Sequence, residues 1–127
     1  MVESFDLKET LSSVTFLEGR TIDSDTRGTF SRVTTYRDGG IFVGGFSGIS
    51  QWERHPNGDE LVQVLKGAVT LTLKVKKIKK LIELGSGMLA IVPKNTWHQF
   101  YSPTGVTLMT ITPEPTEHYN VSCKKAV

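Results

Sequence analysis

This sequence has one cysteine, a small net positive charge and no long apolar run, and each of these features excludes a class of protein. The single cysteine, Cys123, excludes an internal disulfide and is typical of a reducing compartment, so we expect a cytoplasmic protein. The longest strongly apolar run, residues 88–92, is far too short to span a bilayer. The N-terminus carries acidic residues and lacks the basic and then apolar order of a signal peptide. We therefore expect no membrane partner.

The net charge is only +2, and most of the excess lies in residues 74–80, where five of seven residues are lysine. Clustered lysines attract phosphate, but no aromatic residue lies among them and no recognition motif accompanies them. Alternating apolar residues on either side predict two strands that meet at Lys76-Lys77. We interpret the run as a solvated hairpin, and we expect no nucleic-acid partner.

The composition is typical of one globular domain, since 38% of the 127 residues are hydrophobic and 22% are charged. The predicted helix content is one short segment, residues 6–13, with Ser4 as its cap. Turn signals such as Arg37-Asp38-Gly39-Gly40 separate short β-rich segments along the rest of the chain. Many short strands and almost no helix predict an all-β sandwich or barrel.

A single domain is predicted over residues 1–127, with its barrel core at about 14–112. Strands are expected near residues 14–17, 29–36, 41–46, 49–55, 60–66, 68–75, 78–83, 88–92, 98–102 and 106–112. The prolines after the last strand predict a loosely held tail over residues 113–127. His118 and Cys123 lie in this tail, and we expect neither to take part in a site.

Two histidines and two glutamates stand at positions that predict a shared site. Glu53 and His55 are two residues apart, so on a strand both side chains leave the same face. A turn at residues 56–59 then delivers Glu60 to the start of an apolar strand. His98 follows a second proline-containing turn and begins another β-like segment. Imidazole and carboxylate groups that converge from separate strands form a mixed nitrogen–oxygen site that suits Fe, Mn, Ni, Cu or Zn.

The spacing of these residues resembles the first motif of the cupins, small antiparallel β-barrels of jelly-roll type. That motif has His-x-His, three or four residues, Glu, six residues and Gly, and here Glu53-x-His55, Glu60 and Gly67 keep the spacing. The resemblance runs from about residue 40 to residue 112. It implies an all-β antiparallel jelly-roll β-barrel, cupin-like, with at most one short N-terminal helix.

The second cupin motif is also matched in its spacing, which is Gly, five residues, Pro-x-Gly, two residues, His, three residues and Asn. Its positions are taken here by Gly87, Pro93, Asn95, His98 and Ser102. Asn95 replaces a glycine, which is a mild change because asparagine tolerates the left-handed conformation better than most residues. Ser102 for asparagine and Ser47 for the first motif's leading glycine are further departures.

The resemblance implies a site for one divalent transition metal (Fe, Mn, Ni or Zn). The family's set of three histidines and one glutamate becomes Glu53, His55, Glu60 and His98, because Glu53 stands where the first histidine is expected. Glu53 is therefore open to three interpretations: a metal ligand, a catalytic general base, or a structural substitute in a metal-free pocket.

Two further residues are predicted to line a substrate pocket beside the metal. Gln51 shares the strand face of Glu53 and His55, and Phe100 shares the face of His98. Trp52 and Trp97 alternate away from the ligand face, so we expect them to pack in the core or at an interface.

Cupins include dioxygenases, isomerases, lyases and ligand-sensing modules, so the resemblance leaves two functions open. The first is a metal-dependent enzyme of the dioxygenase, isomerase or lyase class that acts on a small oxygenated organic molecule. The alternative is a non-catalytic binding or sensor module that holds a small-molecule ligand in the same pocket. A homodimer is also expected, because the glycine-rich segment 39–48 and the N-terminal strands would offer edges that need pairing.

Overall fold

One short helix and nine strands make up the fold in the computed structural model, which describes residues 2–119. In chain order these elements are α1 (Leu7–Leu11), β1 (Leu17–Arg20), β2 (Phe30–Tyr36), β3 (Gly39–Ile49), β4 (Glu53–Arg54), β5 (Glu60–Val75), β6 (Ile78–Gly85), β7 (Leu89–Val92), β8 (His98–Pro113) and β9 (Glu117–His118). No helix in this part of the chain is long and apolar enough to cross a membrane.

The helix is shorter than the sequence predicted, and its cap is a different residue. The carboxylate of Asp6 accepts a hydrogen bond from the backbone N–H of Lys8 at 2.9 Å, so Asp6 caps the helix and the prediction of Ser4 was wrong. The lysine-rich hairpin is confirmed, because β5 ends at Val75 and β6 begins at Ile78.

Strands β5 and β8 are each one long strand where two short strands were predicted. A glycine makes each strand irregular without ending it. Strand β5 contains Gly67 and strand β8 contains Gly105, both with positive φ, and the register between these strands shifts on both sides of Gly67. A Cβ on Gly67 would lie 2.2 Å from the carbonyl oxygen of Gly105. The two glycines therefore let the strands stay paired through a bulge.

The strands form a curled sheet that closes around one core, as an antiparallel jelly-roll barrel. Strand β8 pairs with β3 on one side and with β5 on the other, and β5 continues to β6 and β7. Among the described strands, the pairing of β1 with β3 is parallel and the others are antiparallel. The largest fully buried apolar side chains are Phe46, Leu71, Leu108, Val43, Val62, Val64, Val92 and Val106.

Of the two edges proposed for dimerisation, that of the glycine-rich segment is covered within the chain, whereas the N-terminal strands β1 and β2 each pair only with β3 among the described strands. Strand β3 holds the glycine-rich segment 39–48, and it pairs with β1, β2 and β8. That edge was therefore wrongly predicted as free, because the sequence does not reveal how many strands pair with a given segment. The homodimer itself stays a prediction.

The predicted tail also differs, since its first residues pack against the barrel. Strand β9 pairs with β4, so that Glu53 lies opposite His118 and Arg54 lies opposite Glu117. The Arg54 Nε donates to the Glu117 carboxylate at 2.6 Å. Residues 113–119 are therefore part of the fold, and Cys123 lies outside the described residues.

Candidate metal centre

Four side chains converge inside the barrel, as the sequence predicted. Glu53, His55, Glu60 and His98 each offer a donor atom, and these atoms all lie within 4.8 Å of one another. His55, Glu60 and His98 are at most 3% exposed, whereas the Glu53 side chain is 19% exposed. The convergence is confirmed, and Glu53 is the member nearest to solvent.

Strand pairing and two turn contacts bring these side chains together. Glu53 on β4 lies directly opposite His98 on β8. The backbone N–H of Asn95 donates to the carbonyl of His55 at 2.9 Å, which ties the loop before His98 to the loop after β4. Asn95 has φ +60, so the left-handed conformation expected at this position is present. The Asp59 carboxylate accepts from the backbone N–H of Lys94 at 2.7 Å and joins the same two loops.

Hydrogen bonds outside the cluster orient both imidazole rings. The His98 Nδ1 lies 2.8 Å from the carbonyl oxygen of Thr96, and because a carbonyl can only accept, Nδ1 carries the hydrogen. The His55 Nδ1 lies 3.0 Å from the hydroxyl of Thr116. In both residues the Nε2 atom is therefore the one that faces the cluster. Histidines that bind metals are oriented in this way by a partner at the other nitrogen.

Glu60 is also held from outside the cluster. Its Oε2 accepts from the hydroxyl of Thr112 at 2.6 Å, and the Thr112 oxygen lies 2.8 Å from the hydroxyl of Thr110. Since Thr112 gives its hydrogen to Glu60, Thr110 is the donor of the second bond. This chain fixes Oε2 and leaves Oε1 facing both rings, 3.1 Å from His98 Nε2 and 3.2 Å from His55 Nε2.

One buried nitrogen in the cluster has no hydrogen-bond partner among the described residues. This atom is His55 Nε2, which approaches Glu60 Oε1 without the geometry of a hydrogen bond. A buried polar atom without a hydrogen bond destabilises the folded protein by about 1–3 kcal/mol. Such atoms are therefore rare, and each one needs a physical explanation.

The charged groups of the cluster shift one another's pKa values. Burial raises the pKa of Glu60, but the contacts with His55 and His98 outweigh burial and lower it on balance. Burial likewise raises the pKa of Glu53, and the imidazoles of His118 and His98 lower it well below its usual range. Burial lowers the pKa of His98, yet the carboxylates of Glu53 and Glu60 raise it to about 10. Without a metal, His98 is thus an imidazolium at neutral pH.

A cavity of about 530 Å³ adjoins the cluster, a size that suits a small organic molecule. Glu53, His55 and Glu60 reach its surface, and its apolar wall consists of Phe30, Phe42, Phe46, Phe100 and Leu108. The ring of His98 meets the ring of Phe100 edge-on, with centroids 5.7 Å apart. Phe100 therefore lines the cavity as predicted.

The cavity wall differs from the prediction at Gln51, because Ser50 lines it instead. Residues 50–52 lie between β3 and β4 outside regular strand, so the alternation that begins at Glu53 does not extend back to Gln51. Ser50 is 1% exposed, and its hydroxyl accepts from the backbone N–H of Phe100 at 2.9 Å. Neither Trp52 nor Trp97 lines the cavity, as expected; the guanidinium of Arg54 lies 4.6 Å from the Trp97 ring.

Most residues of the cavity wall were not predicted from the sequence, and three of them bear on the charges of the site: Arg20, Thr116 and His118. His118 was assigned to an unrelated tail, but its Nε2 lies 3.5 Å from Glu53 Oε2. Thr116 and His118 are two residues apart, the same spacing as Glu53 and His55, which was the available signal. Nothing in the sequence near Arg20 marks it as a cavity residue.

The family model described as the Cupin domain matches residues 44–112, which is more than half of the chain. The chain belongs to the cupin family. No curated protein sequence matches it at a significant level.

Several solved structures resemble this chain in fold at low sequence identity. Protein NMB1881 from Neisseria meningitidis is 20% identical, with a TM-score of 0.61, over 88% of this chain and 100% of that one. Hydroquinone 1,2-dioxygenase from Sphingomonas sp. TTNP3, solved with 4-hydroxybenzoate bound, is 17% identical, with a TM-score of 0.58, over 68% of this cupin and 65% of that chain. Drosophila melanogaster CENP-C bound to CAL1 is 11% identical, with a TM-score of 0.59, over 65% and 67%. The shared fold thus serves both an oxygenase and a protein that binds another protein.

Proposed function

We propose that this cupin is a metal-dependent enzyme of the dioxygenase class that acts on a small oxygenated organic molecule. His55, Glu60, His98 and Glu53 would hold one divalent transition metal, as the arrangement of their donor atoms supports. Two carboxylates make the site hard and anionic, so Fe²⁺ or Mn²⁺ suits it better than metals that prefer sulfur ligands.

The observation that carries the proposal is the approach of two ring nitrogens to one carboxylate oxygen, Glu60 Oε1. The Nε2 atoms of His55 and His98 both lie within 3.2 Å of this oxygen, and a neutral His98 ring, protonated at Nδ1 toward Thr96, presents a lone pair there. Acceptors facing one another inside a protein repel unless a cation lies among them. A proton on His98 satisfies one contact and leaves His55 Nε2 without a partner, whereas a metal ion satisfies both.

The adjoining cavity favours an enzyme over a closed structural site. Glu53, His55 and Glu60 reach the cavity surface, so a metal that these residues and His98 would hold could be reached by a ligand that enters from the cavity. A bound ion would polarise an oxygen atom of the substrate, and a redox-active ion would also support reaction with O₂. The structural similarity to a hydroquinone dioxygenase agrees with this class but shows only the fold.

Glu53 is placed to serve as both ligand and proton acceptor. Its Oε1 lies 3.5 Å from His98 Nε2 on the cluster side, and its Oε2 lies 3.5 Å from His118 Nε2 on the cavity side. A proton taken from the substrate at Oε2 would pass to His118, which is 50% exposed and can exchange it with water. If this base chemistry dominates, the reaction is an isomerisation or elimination that needs no O₂.

Elemental analysis of the purified protein, followed by O₂ consumption with enolic and catecholic compounds, tests the proposal. We expect about one Fe or Mn per chain, consumption of O₂ with at least one compound, and loss of both metal and activity in His98→Ala. Glu83→Gln is the matched control, because Glu83 accepts a hydrogen bond from Thr70 far along β6 from the cluster. Substrate turnover without O₂ would indicate the isomerase or lyase class. A wild-type protein that loads no divalent metal would refute the proposal.

A further inference from the structure

Arg20, in the cavity wall, has no ion pair within residues 2–119, and the other arginine without one there, Arg37, is exposed to solvent. Arg27, Arg32 and Arg54 each form an ion pair with a carboxylate at 2.6–2.9 Å. Arg20 forms no ion pair within residues 2–119, and its buried Nε has no hydrogen-bond acceptor there. The charge of Glu53 acts on the partly buried guanidinium of Arg20, but no described residue supplies an acceptor to its buried Nε, so we expect an acceptor from outside the chain.

The fold places Arg20 in the cavity by a close backbone approach. Strand β1 runs parallel to β3, with Arg20 opposite Gly48, and a Cβ on Gly48 would lie 2.2 Å from the carbonyl oxygen of Arg20. The pairing shifts register between Leu17 and Arg20, and such an irregularity re-aims a side chain. The guanidinium carbon lies 4.8 Å from the ring centroid of Phe46, which is fully buried. Stacking on this ring fixes the plane of the guanidinium and leaves its edge for a ligand.

The charges around the cavity leave one positive charge without a counterpart once a metal is bound. The two negative charges of Glu53 and Glu60 balance a divalent ion, and the imidazoles are then neutral ligands. Arg27 and Glu114 also line the cavity, but each is paired elsewhere, with Asp25 and Arg32 respectively. The charge of Arg20 is therefore the one that a ligand would meet.

We propose that Arg20 binds the carboxylate of a monoanionic ligand whose body is a flat aromatic or enolic group. A guanidinium matches a carboxylate with paired N–H donors, and the benzyl side chains of Phe30, Phe42, Phe46 and Phe100 provide an apolar wall for a flat body. The proposal rests on the metal-dependent function above, since it places the ligand between the metal and Arg20. It names the substrate class of that site, an aromatic or enolic carboxylate.

Binding of benzoate and of its neutral counterpart, benzamide, to the metal-loaded protein tests this proposal. Isothermal titration should show that the wild type binds benzoate at least about 10-fold more tightly than benzamide. Arg20→Met keeps the apolar stem and removes the charge, so it should weaken benzoate by about 10- to 100-fold and leave benzamide unchanged. Arg20→Lys keeps the charge without the paired donors and should give an intermediate affinity. Arg37→Met is the matched control and should change benzoate binding less than about 3-fold, because Arg37 is exposed and lies outside the cavity.

The same samples separate this proposal from the metal-dependent function. Metal content is measured for every variant, and thermal unfolding checks that Arg20→Met is folded. If the protein loads metal but Arg20→Met leaves the ratio of benzoate to benzamide affinity unchanged, the role of Arg20 is refuted and the metal function stands. If the protein loads no metal but benzoate binding still depends on Arg20, the metal function is refuted and the carboxylate site stands.

Discussion

The hydroxyl of Thr112 offers the sharpest test of the metal centre, because it touches Glu60 without lying among the proposed ligands. It donates to Glu60 Oε2 at 2.6 Å and is buried, and Thr110 in turn donates to its oxygen at 2.8 Å. Thr112→Val has nearly the same shape, so it removes the hydrogen bond without opening a cavity. Glu60 then loses the contact that keeps Oε1 turned toward the histidines, and the Thr110 hydroxyl loses its acceptor.

The expected magnitudes follow from these two losses. A hydrogen bond to a charged group contributes about 1.5–3 kcal/mol, so the free energy of unfolding of the metal-free protein should fall by about that amount. Removal of a group that orients a metal ligand lowers metal affinity by about 10- to 100-fold. Chemical denaturation in the presence of a chelator measures the first quantity, and competition with a metal indicator dye measures the second.

Thr70→Val is the matched control for this experiment. Its hydroxyl also donates to a carboxylate, Glu83 Oε1 at 3.0 Å, but at an exposed position on the sheet. We expect less than about 0.5 kcal/mol of destabilisation and no change in metal affinity. A Thr112→Val protein that folds and binds metal as tightly as the wild type would show that Glu60 is not an oriented ligand.

Three further predictions concern the same site and its support. Glu53→His should retain metal, because imidazole is a competent donor. Glu53→Ala should lower metal affinity by at least about 10-fold. A Glu53→Ala protein with full metal content but no activity would instead identify Glu53 as a general base. In the metal-free protein, the pKa of His98 is raised from 6.5 to about 10, so its stabilising contribution is complete below pH 6.5 and is lost as the pH rises toward 10. Thermal unfolding of the chelated protein should therefore show a falling Tm over this range, and a rising Tm would contradict the ion pairing. Gly48→Ala should destabilise the protein by at least about 2 kcal/mol in chemical denaturation, because the φ of Gly48 is +108 and the backbone of Arg20 blocks the new Cβ. Gly85→Ala is the control and should be tolerated, because the nearest atom to its new Cβ would lie at 4.0 Å.

The four cluster residues were predictable because their positions are fixed by local spacing and strand alternation. Glu53 and His55 follow the two-residue period, and Glu60 is the first inward residue of β5, ahead of Val62 and Val64. His98 is likewise the first inward residue of β8. Motif spacing carries this information because each of the four residues lies beside a turn of fixed length, so a short stretch of sequence determines its place in the barrel.

Arg20 and His118 were not predicted, because pairing between distant strands brings them to the site. His118 reaches the cluster through the pairing of β9 with β4, a contact of two short strands separated by more than sixty residues. Arg20 reaches it through the parallel pairing of β1 with β3. The two-residue alternation of a strand predicts the face of the sheet on which a side chain lies, but it does not predict which other strand pairs with that strand. The polar composition of residues 113–119 also predicted a loose tail, since the pairing that orders it is invisible locally.

The position of His118 next to Glu53 bears on the role of Glu53, which stands where the cupin motif has a histidine. With Glu53 in place of a histidine, the cluster has two imidazoles, but His118 brings a third imidazole to within 3.5 Å of the Glu53 carboxylate. A carboxylate that binds a metal through one oxygen is commonly held at the other by a hydrogen-bond donor, as Thr112 holds Glu60. His118 Nε2 lies 3.5 Å from Glu53 Oε2 on the cavity side, whereas Oε1 faces the cluster. Because His118 is half exposed, a proton taken up at Oε2 would have a path to water. Ligand and base are therefore compatible roles for Glu53, served by its two oxygens.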